Sequence, residues 1–387
     1  MRHWWIGCCC LLVLGVAAAL AAEEAEKKDV GPSLEYRPPR PVLPEPKGPT
    51  PAPPMTVFRE SFGRFGIGRG SFDRPRDVAF GIDDRVYVLD AGNNRVQLFD
   101  KSNNFILEWG SSGTDASRCE FKGPTAIHVV RDLSAGSSDA PDIVHVVDTG
   151  NNRIQRFAIK ADTKGLRNLP CGSAGSDVQI LRPWGRNATS GGIGDGEFSR
   201  PLDLAFGIVQ GDREPSMWVL DAGNERVQRF GYPMNDGYPP NEVDQETRFY
   251  ADQLSQISGT RGNLKGLVSL AWSNDVNGYL YLLGTGCSLQ RFRLNGVLEA
   301  TWPAVAPESG LCVPARVRYD VKKEYLYVLD SGNGLLSIFH RTGNFIGALR
   351  GADRSFNRPG GFDFRPLNGK FVLADTGNNL VQKFTQR

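Results

Sequence analysis

Asp90 and Arg95, Asp148 and Arg153, and Asp221 and Arg226 recur at one spacing in three segments of closely similar sequence. A carboxylate beside a guanidinium can hold a turn shut, and it can equally orient a catalytic acid or base. Repetition separates the two uses, because a catalytic group is needed once and a staple once per copy. These pairs are therefore read as structural, together with Gln97, Gln155, Gln228, Gln290 and Gln382, which recur with them. Function must be sought where the copies differ.

The pairs belong to a longer repeat that has to position any site. Asp90-Ala-Gly-Asn-Asn-Arg-Val-Gln-Leu-Phe99 recurs at Asp148 to Phe157, Asp221 to Phe230, Asp330 to Phe339 and Asp375 to Phe384, with a decayed copy at Gly284 to Phe292. An apolar run such as Arg85-Val-Tyr-Val-Leu89 precedes each. Phe-x-x-Pro stands upstream of four copies, at Phe72/Pro75, Phe121/Pro124, Phe198/Pro201 and Phe356/Pro359. Each copy reads as four short antiparallel strands with Gly and Asn in the turns, where positive φ costs least. That period predicts an all-β propeller of six four-stranded blades. The 45 glycines are then turn punctuation.

The Pro-x-x-apolar strand followed by Asp-x-Gly-Asn-x-Arg-apolar-Gln-x-Phe resembles the NHL repeat over residues 56 to 387, and the resemblance implies a six-bladed β-propeller. Closure follows separately from the ends. The sixth copy stops at Phe384-Thr-Gln-Arg387, without room for a fourth strand, whereas Thr56 to Phe62 precedes the first copy with no inner strands of its own. The expectation is that residues 56 to 62 complete the last blade and leave the ring no unpaired gap.

After the proline position the next residues are Arg76-Asp77, Thr125-Ala126, Leu202-Asp203, Val268-Ser269, Ala315-Arg316 and Gly360-Gly361. These begin the innermost strands, so Arg76, Asp77, Asp203 and Arg316 are expected at the channel mouth, either holding a small polar ligand or neutralising one another. Some proteins with the resembling fold are lyases with three channel histidines on zinc. His128, His145 and His340 occupy three different repeat positions and are not expected to converge on one metal. Lactonase-type propellers place calcium on channel carboxylates, and Asp77 and Asp203 supply only two of the six to eight oxygens that ion takes. No cofactor is expected, with calcium or zinc in the channel as the alternative. No nucleophile elbow or phosphate loop is present, so catalysis has no positive support.

The repeat anchors lie 45 residues apart between 330 and 375 but 73 apart between 148 and 221. The additions fall at Arg131 to Pro141, Lys160 to Asp177, Val209 to Pro215 and Gly231 to Tyr250, all in loops expected to leave by one face. They would form a ridge carrying Arg167, Tyr232, Tyr238, Phe249 and Tyr250, residue types over-used in binding hot spots. The same strand logic pairs Cys287 with Cys312 as a disulfide and puts Cys119 and Cys171 on opposite faces.

Residues 1 to 22 read as a secretory signal, with Arg2, the apolar run Ile6 to Leu20 and Ala-Leu-Ala-Ala before Glu23. A retained anchor and lipidation at Cys8 to Cys10 are the competing readings. Residues 23 to 55 form a Pro-rich tail expected to be extended. With a formal charge of +2, the chain shows no concentrated basic face, which argues against nucleic acid. The function expected is an exported, monomeric binding or scaffold module, secreted or in a periplasm or cell envelope. It would engage a protein or an envelope glycan through its loop faces and have no membrane span once the signal is removed. A secreted metal-dependent propeller enzyme is the alternative.

Overall fold

The computed structural model describes residues 56–131, 140–163, 170–185, 191–207, 216–231, 264–273, 278–294, 296–304, 312–351 and 356–386. The chain enters on β1 (Thr56–Phe62). Blade one follows as β2 (Pro75–Phe80), β3 (Val86–Asp90), β4 (Arg95–Phe99) and β5 (Phe105–Trp109), and a short parallel pair, β6 (Ser111–Ser112) with β7 (Glu120–Phe121), lies in the link after it. Blade two is β8 (Ala126–Arg131), β9 (Asp142–Asp148), β10 (Arg153–Ile159) and β11 (Val178–Trp184). Blade three shows three described strands, β12 (Pro201–Gly207), β13 (Ser216–Asp221) and β14 (Arg226–Gly231). Blade four is β15 (Leu267–Ser273), β16 (Tyr279–Gly284), β17 (Ser288–Arg293) and β18 (Leu298–Pro303). Blade five is β19 (Pro314–Asp320), β20 (Tyr325–Asp330), β21 (Leu335–His340) and β22 (Phe345–Leu349). Blade six is β23 (Gly361–Arg365), β24 (Lys370–Asp375) and β25 (Leu380–Gln386). Inner strands of successive blades pack side by side, and β23 returns to β2, so the six sheets form a ring.

The second strand of each blade reads as a continuous apolar run because blades cover both its faces. Val86 to Leu89, Met217 to Leu220 and Leu326 to Leu329 are all fully buried. The last sheet runs β1-β25-β24-β23, with Thr56 opposite Gln386 and Phe62 opposite Val381. This strand also reaches the first blade, since Phe62 packs against Phe99 at 5.0 Å and Phe72 at 6.2 Å between ring centroids.

In blades one to three the repeated polar residues form one cage around the aspartate. Asp148 accepts from Lys122 N (2.8 Å), Asn151 Nδ2 (2.9 Å), Arg153 Nε (2.8 Å) and Gln155 Nε2 (3.0 Å). Asp90 and Asp221 do the same with Asp73, Asn93, Arg95 and Gln97, and with Ser199, Asn224, Arg226 and Gln228. The arginine's other nitrogens donate to carbonyls of the incoming link, Thr114 and Glu120 in the case of Arg153. The motif therefore fastens blades one to three to the segments that deliver them, and in blades five and six the aspartate does so alone, accepting from Val313 N and Asn357 N.

A second device joins neighbouring blades. The turn after each second strand ends in a left-handed residue, Asn94, Asn152, Glu225, Cys287, Gly334 or Asn379. Asn94 Oδ1 accepts from Gly123 N of the next blade (2.9 Å), Asn152 from Arg200 N (2.8 Å), and Asn379 from Arg74 N across the ring closure (2.7 Å). In blade four the residue is Cys287, and its disulfide to Cys312 joins that turn to the link entering blade five. A covalent bond thus stands where three other blades use an asparagine.

The expectation for the other two cysteines fails. Cys119 and Cys171 are bonded, with Cα atoms 6.3 Å apart. The connection after β10 does not simply project from its face. Gly172 N donates to Val178 O, and a Cβ on Gly172 would meet Ile180 Cδ1 at 2.4 Å, so this segment doubles back along β11. It thereby reaches the buried Cys119 between blades one and two.

Candidate functional site: the channel and its mouth

The inner strands reach the channel with an irregularity that decides which side chains enter it. In blades one, three, four and five the pairing with the second strand slips between the proline position and the residue two further on, as between Pro75 and Asp77. The bulged residue in between turns to the mouth, and those at the second and fourth positions point inward on one side of the strand.

The bulged residues Arg76, Leu202, Val268 and Ala315, with Thr125 and Gly360 at the equivalent places, wall an open cavity of about 620 Å³. Asp77 and Asp203, expected at the mouth, are instead fully buried beneath it. Arg316 lies between them, 2.8 Å from Asp203 and 3.0 Å from Asp77, and is the one of the three that lines the cavity. Arg318 adds contacts of 3.4 Å to Asp203 and 3.8 Å to Asp77. His128 Nε2 sits 3.0 Å from Asp203 Oδ1 and 3.2 Å from Arg318 Nη2. Ser269 donates its hydroxyl to Asp203 and accepts from Val317 N. Asp363 completes the set from blade six, accepting from Phe80 N.

Burial pushes the Asp77 carboxyl up to about 6, against Arg316 and Arg318, which pull it down. Its Oδ1 has no hydrogen-bond partner, and a Cβ on Gly361 would stand 2.0 Å from that oxygen. Burial acts on Asp203 in the same sense, yet Arg316, Arg318 and His128 hold it well below the usual carboxylate range. His128 is lowered to about 4 by burial and then by Arg318, so it is neutral at physiological pH.

This donor set does not suit a divalent cation. The guanidinium of Arg316 fills the space between the two carboxylates that would have to ligate it, and Arg318 approaches both. His128 faces His145 across β8 and β9, while His340 ends β21 in blade five beside Glu324. Spacing alone missed that first adjacency. Arg167, Tyr232, Tyr238, Phe249 and Tyr250 of the expected ridge lie outside the described residues.

His128, Arg318, Asp363 and Ser269 were missed as channel residues. The signal was partial: counting in twos along each inner strand once the bulge is placed selects Asp77, His128, Asp203, Ser269, Arg316, Arg318 and Asp363 alike, but nothing in the sequence marks the bulge.

Residues 72–99 match the NHL repeat family model. The Drosophila melanogaster protein brain tumor is 33% identical over 75 residues, 19% of this chain and 7% of that protein. The Caenorhabditis elegans protein lin-41 is 48% identical over 46 residues, 12% of this chain and 4% of that one. The matched segments span less than a tenth of either curated relative. A solved structure of streptogramin B lyase has the same fold, covering 86% of this chain and 99% of its own at a TM-score of 0.51 and 13% identity. Blade one thus carries an NHL repeat, and the residues of that motif recur around a six-bladed β-propeller.

Proposed function

We propose that the protein is an exported binding module that engages a protein partner through the face onto which its channel opens. The observation that carries this reading is the division of labour in the channel. The buried carboxylates are committed to Arg316 and Arg318, whereas the cavity above them stands open. A general acid or base must reach its substrate, and Asp77 and Asp203 have no exposed surface. Action outside the cytoplasm is supported by the signal-like residues 1 to 22 and by two disulfides, which persist in oxidising compartments.

The test is affinity capture from an extracellular or envelope fraction with the full chain as bait, beside metal analysis of the chain after equilibration with calcium and with zinc. A protein retained in stoichiometric amount supports the binding role. One tightly held calcium or zinc per chain, together with turnover of a lactone, would instead establish the channel enzyme, and specific retention of a glycan would replace the protein partner.

A further inference from the structure

Among the described residues, the mouth cavity is lined by four arginines, Arg74, Arg76, Arg316 and Arg358, and by no acidic residue. Arg74 is drawn to Asp73, at 3.2 Å. Among the described residues, Arg76 and Arg358 are exposed and make no ion pair or side-chain hydrogen bond. Arg316 is 3% exposed, and its Nε lacks a hydrogen-bond partner. The guanidiniums of Arg76 and Arg358, unlike those of Arg74 and Arg316, have no carboxylate of a described residue within 4 Å, and their forked donors match planar carboxylates in pairs of parallel hydrogen bonds.

Backbone conformation gives a separate indication. The residue before the proline position is left-handed in five blades: Arg74 (φ 50°), Gly123 (54°), Arg200 (49°), Gly266 (67°) and Arg358 (48°). Glycine takes this conformation at far lower steric cost, and two blades use it. Arginine in the other three keeps a strained backbone, and in two of them, Arg74 and Arg358, the side chain lines the cavity, as expected where side-chain function outweighs local stability.

The remaining walls select among anions. Pro124, Pro314 and Pro359 with Leu202, Val268 and Val313 offer aliphatic surface, and no aromatic residue among those described lines the cavity. Single-stranded nucleic acids are gripped by stacking bases on aromatic rings, which this mouth does not provide. Aliphatic walls beneath guanidiniums suit the methylene stems and carboxylates of glutamate and aspartate.

We infer that the channel mouth is a carboxylate-binding site that takes an acidic segment of the partner polypeptide. This rests on the binding role proposed above and names the chemistry of its ligand.

The test is fluorescence anisotropy of a labelled hexaglutamate peptide titrated with the full chain at low and moderate salt. Saturable binding of one peptide per chain is expected, with Arg76→Ala and Arg358→Gly each weakening it by roughly tenfold or more. Because glycine fits φ at position 358, Arg358→Gly is expected to melt no lower than the parent, which separates loss of a ligand contact from loss of structure. Arg59→Ala, an exposed guanidinium on β1 away from the mouth, is expected to leave binding unchanged. Absence of saturable binding, equal weakening by Arg59→Ala, or tighter binding of an oligonucleotide or sulfated saccharide of equal charge would overturn the site. Partner capture that survives Arg76→Ala combined with Arg358→Gly would overturn it while leaving the binding role standing.

Discussion

Asp77→Asn tests the electrostatics of the channel with the least change of shape, because the amide keeps the carboxylate's outline beside Gly361. The Asp77 carboxyl titrates at about 6 in the fold against 3.8 when unburied. A raised value means that the folded state holds the proton more tightly. Its contribution to stability is therefore complete below 3.8 and is lost as pH rises through 6. At about 1.4 kcal/mol per pH unit the difference is roughly 3 kcal/mol, most of it lost between pH 4 and 7. His128 works in the opposite sense, lowered from 6.5 to about 4, so its contribution is present above 6.5 and is lost as pH falls through 4. It is also roughly 3 kcal/mol, and the two offset each other in the native chain. Urea unfolding from pH 4 to 7, followed by fluorescence of the buried Trp109, Trp218, Trp272 and Trp302, exposes each in turn. Relative to the parent, Asp77→Asn should gain about 2 to 3 kcal/mol as pH rises, and His128→Gln should lose a similar amount. Difference curves that stay flat across this range would refute the assignment of both groups, and slopes of the same sign would refute the opposition between them.

Asp148→Ala should cost about 3 to 5 kcal/mol, since it leaves the buried Arg153 guanidinium without its carboxylate; chemical denaturation measures it. Gly361→Ala should cost about 1 to 3 kcal/mol by driving a methyl into Asp77 Oδ1 and the Arg76 carbonyl, read as a lowered denaturation midpoint. Deleting Thr56 to Phe62 should lower the melting temperature sharply, as it uncovers the β25 edge and strips Phe62 from Phe72 and Phe99; an unchanged melt would contradict the role of β1. Removing Cys119–Cys171, which spans 52 residues, should cost more than removing Cys287–Cys312, which spans 25, by loop-closure estimates of about 4 and about 3.5 kcal/mol.

The blades were legible because one set of local rules is written six times. Asp at the end of the second strand, left-handed Asn and the Arg and Gln of the third strand act within a few residues of each other, so their roles follow from spacing. Closure by β1 was legible for the same reason, as a strand missing from one end of the repeat and present at the other. The channel was harder. The bulge after Pro75 and its counterparts shifts by one which side chain faces inward, and no residue in the sequence marks it, so Arg76 and Asp77 were read as one rim when they stand on different levels. Arg318, His128 and Asp363 lie one alternation deeper and come together only when the ring closes. Cys119 and Cys171 escaped because the segment around Gly172 turns back on its own blade, a tertiary choice that strand direction does not dictate.

The clasps between blades differ in kind around the circle. Asparagine holds the joints from six to one, one to two and two to three, and a disulfide holds four to five. At the joints from three to four and five to six the corresponding residues are Glu225 and Gly334, and no such clasp is made among the described residues. Those two joints rest on ring packing instead, with Trp218 stacked on Trp272 at 5.2 Å across the first and Tyr327 against Phe364 at 5.1 Å across the second, so that trimming an aromatic there should loosen a seam that a hydrogen bond or a disulfide guards elsewhere.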